Sequence, residues 1–331
     1  MVVRMADRQT VLVVGGAGYI GSHAARVLRQ HGYEAVIYDN LSTGHEFLAK
    51  GFRLIVADAG DAVQIRNALR GVKAVMYFAA HAYVGESVTN PRKYFENNVE
   101  GALTLLNACL DEGVKAFVFS STCAVYGVPE RVPISEDNVR NPINPYGISK
   151  MFFERALESY DRAYGLRYAS LRYFNAAGAD ESGEIGECHS PETHLIPLAL
   201  DAASGAGPEL QVFGDDYPTQ DGTCIRDYVH VNDLAEAHVL ALRRLLAGGD
   251  SMALNLGSGD GYSVKQILAE VERVTGRKVP HRVVARRAGD PPALVADASR
   301  ARMVLGWKAA RGLDQIVGTA WKWHQAGTRV R

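Results

Sequence analysis

Gly15-Gly-Ala-Gly18-Tyr-Ile-Gly21 follows directly on the apolar run Val11-Leu-Val-Val14 and opens a stretch with helical patterning over 18–31. A buried strand that turns into a helix through a glycine triplet points to a parallel sheet with helices on its faces. Glycines permit the tight turn and let backbone approach a ligand that a Cβ would hold off. The first N–H groups of the helix have no intrahelical acceptor and face an anion such as a pyrophosphate. With 33 glycines in 331 residues the triplet alone decides little, but its place between strand and helix does. The bland alternative is a purely structural turn.

The alternation continues. Apolar runs at Ala35–Tyr38, Arg53–Val56, Ala74–Phe78, Ala116–Ser120 and Tyr168–Arg172 read as strands. Helical patterns cover 61–70, 91–111 and 145–164, with Pro91 suited to a first turn. Near-continuous apolar strands alternating with helices predict an α/β fold, a Rossmann-type doubly wound parallel sheet. After residue 174 the pattern loosens. Helices are expected at 232–247, 263–274, 297–305 and 312–326, among long Gly/Pro/Asp-rich loops. We therefore expect a dinucleotide-binding domain over 8–175, with the chain crossing back around 225–260, and a smaller α/β substrate lobe over 176–331.

Composition narrows the function. The chain is 47% hydrophobic and 22% charged, with a net charge of -1. No basic excess is available to neutralise a phosphate backbone, which argues against a nucleic-acid partner. The longest apolar runs are far too short for a membrane span. Cys109, Cys123, Cys188 and Cys224 form no C-x-x-C pair, and no His/Cys spacing suggests zinc, so no metal is expected. Scattered thiols and a short polar start, without the pattern of a signal peptide, suit the cytoplasm.

Asp39 ends the second strand run, eighteen residues after Gly21. A carboxylate there suits the ribose hydroxyls of NAD and repels the 2′-phosphate of NADP, and Asn40-Leu-Ser-Thr-Gly44 offers no arginine. Asp39 could also be a turn residue. Asp58, just past the third strand, suits either the adenine or a helix N-cap.

Tyr146-Gly-Ile-Ser-Lys150 starts a helix, and a spacing of four places both side chains on one face. An ammonium there would lower the tyrosine pKa, as would a positive nicotinamide ring, and a phenolate is a general base. With 15 tyrosines and nine lysines, chance gives about 0.4 such pairs, and this is the only one in the chain. Thr122 ends the fifth strand and could hydrogen-bond the reacting oxygen, or serve only the strand-end turn.

Further stretches are Val84-Gly-Glu-Ser87, Leu171-Arg-Tyr-Phe-Asn175, Asp221-Gly-Thr-Cys-Ile-Arg-Asp-Tyr-Val-His230 and Ala296-Asp-Ala-Ser299. With the glycine loop and the Tyr146/Lys150 pair, they make nearly the whole chain resemble the extended short-chain dehydrogenase/reductase superfamily. Within it, the likeness is to the UDP-glucose 4-epimerase family. The resemblance implies tightly bound NAD, a UDP-sugar substrate, and inversion at C4 through a 4-keto sugar. Tyr146 would then move the proton, with Lys150 and Thr122 beside it. It implies cofactor contacts at Gly15, Gly18, Tyr19, Ile20, Gly21, Asp39 and Asn40. Others follow at Asp58, Ala59, Phe78, Ala79, Ala80, Asn98 and Tyr173.

For the substrate, the resemblance implies Asn175 and Leu195 near the diphosphate and uridine, with Phe213 and Tyr217 in the uracil-contacting stretch. Arg226 and Arg287 would take phosphate oxygens, Asp290 the ribose, and Leu294 would gate the sugar pocket. Leucine is intermediate in size, so plain hexoses, N-acetyl sugars and pentoses all stay open. His194 could touch the diphosphate or be structural. Three positions depart from the family pattern: Ala82 where some members have lysine, Thr122 where many have serine, and His194 where some have asparagine. Dehydrating relatives carry an acid where this chain has Cys123, and non-catalytic relatives usually lose the tyrosine or lysine. In the family the helices at 91–111 and 145–164 pair in a homodimer, although their apolar positions equally suit a core.

Overall fold

A computed structural model describes residues 8–287 and 290–327. Its strands are β1 (Thr10–Val14), β2 (Glu34–Asp39), β3 (Arg53–Val56), β4 (Ala74–Tyr77), β5 (Ala116–Thr122), β6 (Arg167–Tyr173) and β7 (Asn175–Ala177). They continue with β8 (Leu210–Phe213), β9 (Ile225–Arg226), β10 (Tyr228–His230), β11 (Met252–Leu256), β12 (Tyr262–Ser263), β13 (His281–Val284) and β14 (Ala293–Leu294). The helices are α1 (Tyr19–Gln30), α2 (Ala62–Leu69), α3 (Val84–Thr89), α4 (Pro91–Phe95), α5 (Ala102–Asp111) and α6 (Pro145–Tyr164). Then come α7 (Leu195–Ser204), α8 (Val231–Leu246), α9 (Val264–Thr275), α10 (Ser299–Leu305) and α11 (Leu313–Gln325).

Seven strands form one sheet in the order β3-β2-β1-β4-β5-β6-β11. β1 pairs in parallel with β2 and with β4, β2 with β3, and β4 with β5. This is the Rossmann order, and the direction of winding reverses at β1/β4, where such sheets bind ligands. The chain divides into two compact units. The first runs up to Val125 and takes in Pro142–Arg172 and Ala235–Leu254; the second holds Tyr126–Asn141, Tyr173–Leu234 and the chain from Asn255 onward. The boundary drawn at residue 175 thus falls at Arg172. The segment Tyr126–Asn141, placed by sequence in the first domain, belongs to the second unit.

In the first unit the core is built around Leu12, Val14, Tyr38, Tyr77, Phe117, Phe119 and Phe153. Phe153 of α6 meets Phe119 of β5 edge-on at 4.8 Å between ring centroids. That aromatic contact seats α6 on β5 and fixes which residues lie above the strand end. Helix α6 is well specified by its sequence. Asn144 caps it by accepting the Gly147 N–H at 2.8 Å, Pro145 opens the first turn, and Gly165 closes it with φ 71°.

The helix expected over 91–111 is interrupted by a π-helical stretch, Glu96–Gly101. Buried Asn98 lies there, and the wide turn re-aims its amide. Sequence patterning missed α3 and α7. The first carries Gly85 and exposes Val84 and Val88. The second, LIPLALDAAS, is too uniformly apolar to show a face, and its Pro197 is tolerated because a first-turn N–H needs no helical acceptor.

The second unit gathers Ile196, Leu200, Val212, Ile267, Val271, Ile316 and Val317 into its own core. Three small sheets accompany it: β10-β7, β12-β9-β14 and β13-β8. Fully buried Asp227 ties the loops together. Its Oδ1 accepts the Ser258 N–H (2.8 Å) and hydroxyl (2.7 Å), and its Oδ2 accepts the N–H groups of Gly259 and Ala296, both at 3.0 Å. Motifs seventy residues apart in sequence are thereby one structural element.

Candidate active site

The glycine loop sits at the β1/β4 crossover. Gly15 has φ 79°, and a Cβ on it would lie 2.4 Å from the Ala79 nitrogen, so only glycine lets the segment after β4 come this close. A Cβ on Gly21 would meet the Gly15 oxygen at 2.2 Å. Gly18 is the N-cap of α1 and offers no side-chain acceptor, so the first-turn N–H groups from Tyr19 to Gly21 stay available to an anion. Phe78 lies beside this loop with its ring 4.8 Å from that of His238, and Ala79 and Ala80 are half-buried.

Asp39 is 7% exposed and latches the loop: its Oδ2 accepts the Ala17 N–H and its Oδ1 the Leu41 N–H, both at 2.9 Å. Burial raises its pKa, and the two N–H groups oppose that rise. It is therefore a turn residue as well, while a carboxylate with two bonds keeps lone pairs for a ribose. Asp58 does not cap α2. Its Oδ1 accepts the Gly60 N–H and its Oδ2 the Asn40 amide, both at 2.7 Å, so Asp58, Asn40 and neighbouring Ala59 form one turn. The cap is Asp61, which accepts the N–H groups of Val63 and Gln64 at 3.0 Å. A two-residue strand-end turn ahead of the helix displaced it from the expected position.

Asn98 is 3% exposed and spends its amide on protein. Its Oδ1 accepts the His81 N–H at 2.9 Å, and its Nδ2 donates to the His81 carbonyl (3.0 Å) and the Ser149 hydroxyl (3.1 Å). It shapes the loop after β4 rather than presenting its amide outward. The Val84-Gly-Glu-Ser87 motif has a related role: Glu86 accepts from Lys93 and from the Tyr94 hydroxyl, each at 2.8 Å.

Thr122, Tyr146 and Lys150 come together. The Thr122 hydroxyl is hydrogen-bonded to Tyr146 and accepts the Ala124 N–H at 3.1 Å. A Cβ on Gly147 would lie 2.7 Å from the Ala124 carbonyl, so this glycine brings the helix start against the strand end. Lys150 is buried, donates to the Ser120 carbonyl at 2.8 Å, and sits 4.9 Å over the Phe119 ring. Burial pushes it down to about 7, against the pull of Glu154. Burial pushes Tyr146 up to about 12, with the Thr122 hydrogen bond opposing. The lysine amine turns to Ser120, 6.0 Å from the tyrosine ring centre. Sequence reading missed the buried layer beneath: Glu154 accepts from Ser121 (2.6 Å) and from Arg172 (2.8 and 2.7 Å). Glu154 lies one helical turn past Lys150, a spacing visible in the sequence.

In the second unit, Arg226 is paired with Asp290 and donates to the Ile225 carbonyl at 2.7 Å, so the two residues assigned separately to phosphate and ribose form one ion pair. Arg287 lies 3.9 Å over the Phe213 ring, and Arg286 4.2 Å over Tyr217. The Tyr217 hydroxyl is buried and has no hydrogen-bond partner among the described residues. Asn175 donates to the Asp227 carbonyl at 2.9 Å. Tyr173 ends β6, Leu195 opens α7 and packs on the core, and Leu294 pairs beside Arg226 across β14 and β9. His194 turns its Nδ1 to Glu187 (2.8 Å) and Glu192 (3.1 Å). Glu187, His189, Glu192 and His194 form a cluster that the expectation of no metal-ligand spacing passed over. The signal, E-x-H-x-x-E-x-H, is in the sequence.

A glycine loop at a Rossmann crossover, an acid at the end of β2 and a Thr/Tyr/Lys set at β5/α6 define a nucleotide-cofactor enzyme of the dehydrogenase/reductase class. The chain belongs to the NAD dependent epimerase/dehydratase family, whose model matches residues 11–257. It is 52% identical over 318 residues to the UDP-glucose 4-epimerase of Rhizobium leguminosarum bv. trifolii, covering 96% of this chain and 97% of that protein. The crystal structure of UDP-glucose 4-epimerase from Brucella ovis in complex with NAD superposes with a TM-score of 0.93 at 52% identity, covering 95% of this chain and 97% of that one. That of the Stenotrophomonas maltophila enzyme, with NAD and formylated UDP-arabinopyranose, gives 0.94 at 42% identity, covering 97% and 99%.

Proposed function

We propose that the protein interconverts UDP-glucose and UDP-galactose by inverting C4 of the sugar, with NAD as a resident cofactor. The observation that carries this is the meeting of Thr122 at the end of β5 with Tyr146 and Lys150 at the head of α6. The full-length likeness to UDP-glucose 4-epimerases supports the choice of sugar nucleotide.

The chain fits NAD: Gly15 and Gly21 clear the backbone, the start of α1 would hold the pyrophosphate, and Asp39 would take the ribose. When bound, NAD supplies the oxidant and then the reductant for sugar C4, and its oxidised form carries positive charge. Tyr146 takes the proton of the 4-hydroxyl and later returns one. Thr122 hydrogen-bonds the reacting oxygen and holds the tyrosine. Lys150 fixes the strand end and adds charge as it protonates. Arg226, Arg287, Phe213 and the unmet Tyr217 hydroxyl grip UDP, and Leu294 limits the sugar. The grip falls on the nucleotide because one face of the cofactor must serve both faces of the sugar, so the sugar must turn.

Two further readings go with it. Among the described residues no helix is long and apolar enough to cross a membrane, and four cysteines with no disulfide among them support a reducing, cytoplasmic setting. Exposed Val88 of α3, Phe95 of α4 and Phe152 of α6 support a homodimer through these helices. Light scattering would then give twice the chain mass.

The test is incubation of the purified protein with UDP-galactose and no added NAD. Conversion to a fixed mixture with UDP-glucose is expected. No conversion of the hexose, even with NAD supplied, overturns the assignment.

A further inference from the structure

The loop before α7 brings Glu187, His189, Glu192 and His194 together, and the metal-binding atoms of these four side chains lie within 4.8 Å of one another. We propose that these residues form a binding site for a divalent transition-metal ion of the zinc class.

The geometry is the first reason. The N···O separations from the two imidazole Nδ1 atoms to the two carboxylates are 2.8, 3.1, 3.1 and 3.8 Å. Bonds of about 2.0–2.2 Å from a tetrahedral zinc place its ligands roughly 3.3–3.5 Å apart, within that spread. Three of the four are shorter than that, as imidazole–carboxylate hydrogen bonds are, so the donors face a common centre and spread by a few tenths of an ångström to take an ion.

Charge is the second. The Glu187 and Glu192 side chains are 7% and 12% exposed and carry two negative charges into one small volume. In the metal-free chain the two imidazoles meet these carboxylates, and a divalent cation takes the place of those contacts as the imidazoles give up their protons and ligate it. Two imidazoles in the donor set favour zinc, cobalt or copper over magnesium and calcium, which prefer oxygen alone.

The surroundings are already held. The Glu187 carbonyl accepts the Trp323 indole N–H at 2.8 Å, and Glu192 Oε1 accepts the N–H groups of Thr193 (2.8 Å) and His194 (2.9 Å). Glu192 can bind an ion through Oε2 without releasing them. Such supporting bonds orient ligands and lower the cost of binding. An ion here would clamp the eight-residue loop at the foot of α7.

The experiment uses the untagged full-length protein, stripped with a chelator and titrated calorimetrically with zinc, cobalt and magnesium. One zinc per chain is expected, with visible absorption of tetrahedral cobalt, no magnesium uptake, and a melting temperature that rises with zinc. His189→Ala and the near-isosteric Glu192→Gln should each weaken zinc binding about 10- to 100-fold. Circular dichroism of the stripped proteins identifies any variant that fails to fold, and Glu192→Gln carries the test if His189→Ala does. Less than one zinc per wild-type chain overturns the proposal and leaves the cluster as a set of ion pairs. Equal binding by wild type and a folded variant, or equal uptake of magnesium, overturns it as well.

Discussion

Lys150 Nζ donates a 2.8 Å hydrogen bond to the carbonyl of Ser120, two residues before Thr122 on the same strand. The lysine thus fastens the end of β5 to α6, and the tyrosine one helical turn earlier meets Thr122 as a result. The same burial that makes this bond strong lowers the lysine to about 7.

This gives stability a pH dependence of known sign. The unfolded chain keeps the lysine proton up to about pH 10.4, whereas the folded chain releases it near 7. Between these values the unfolded state binds more protons, so stability rises with pH. Lys150→Met removes that contribution. Urea unfolding at pH 7 and pH 9.5 should show the difference between wild type and variant moving in favour of wild type at the higher pH. A difference flat with pH counts against a depressed lysine.

Tyr146→Phe should lower kcat by at least about 100-fold while the purified protein still carries its NAD. Thr122→Ser keeps the hydroxyl and most of the rate. Thr122→Val should cost about tenfold or more. Steady-state rates and the cofactor released on denaturation separate these outcomes from loss of NAD.

Gly15 and Gly113 both have positive φ, at 79° and 69°, yet only Gly15 is crowded. Gly15→Ala drives a methyl into Ala79 and should strip NAD from the purified protein. Gly113→Ala meets nothing within 4 Å and should cost only about 1–2 kcal/mol of stability, with full NAD content.

Leu294→Gly should raise kcat/KM for UDP-N-acetylglucosamine relative to UDP-glucose at least about tenfold. An unchanged ratio in competition assays would remove Leu294 as the gate.

Asp227→Ala leaves four donors without their buried acceptor. A loss of at least about 3 kcal/mol is expected in chemical denaturation.

Much of the first half of the fold was legible because strands such as β1, β4 and β5 are runs of buried apolar residues and α6 carries its own start and stop in Asn144, Pro145 and Gly165. The Tyr146/Lys150 pair was legible because helix periodicity converts spacing into one face. What stayed hidden depends on partners far away in sequence. Arg226 reads as a free phosphate ligand until β9 and the loop carrying Asp290 put them in contact. The π turn at Asn98 follows from a buried amide reaching His81, which no local propensity records. Lys150 reads as an ammonium until its burial is known.

The most direct measurement uses UDP-galactose carrying deuterium at C4. If Tyr146 moves only the oxygen-bound proton and the carbon-bound hydrogen goes to resident NAD and back, the UDP-glucose formed should keep its deuterium, even in ordinary water. Loss of the label to solvent would mean that C4 is inverted by carbon deprotonation, and Tyr146 would then have a different task.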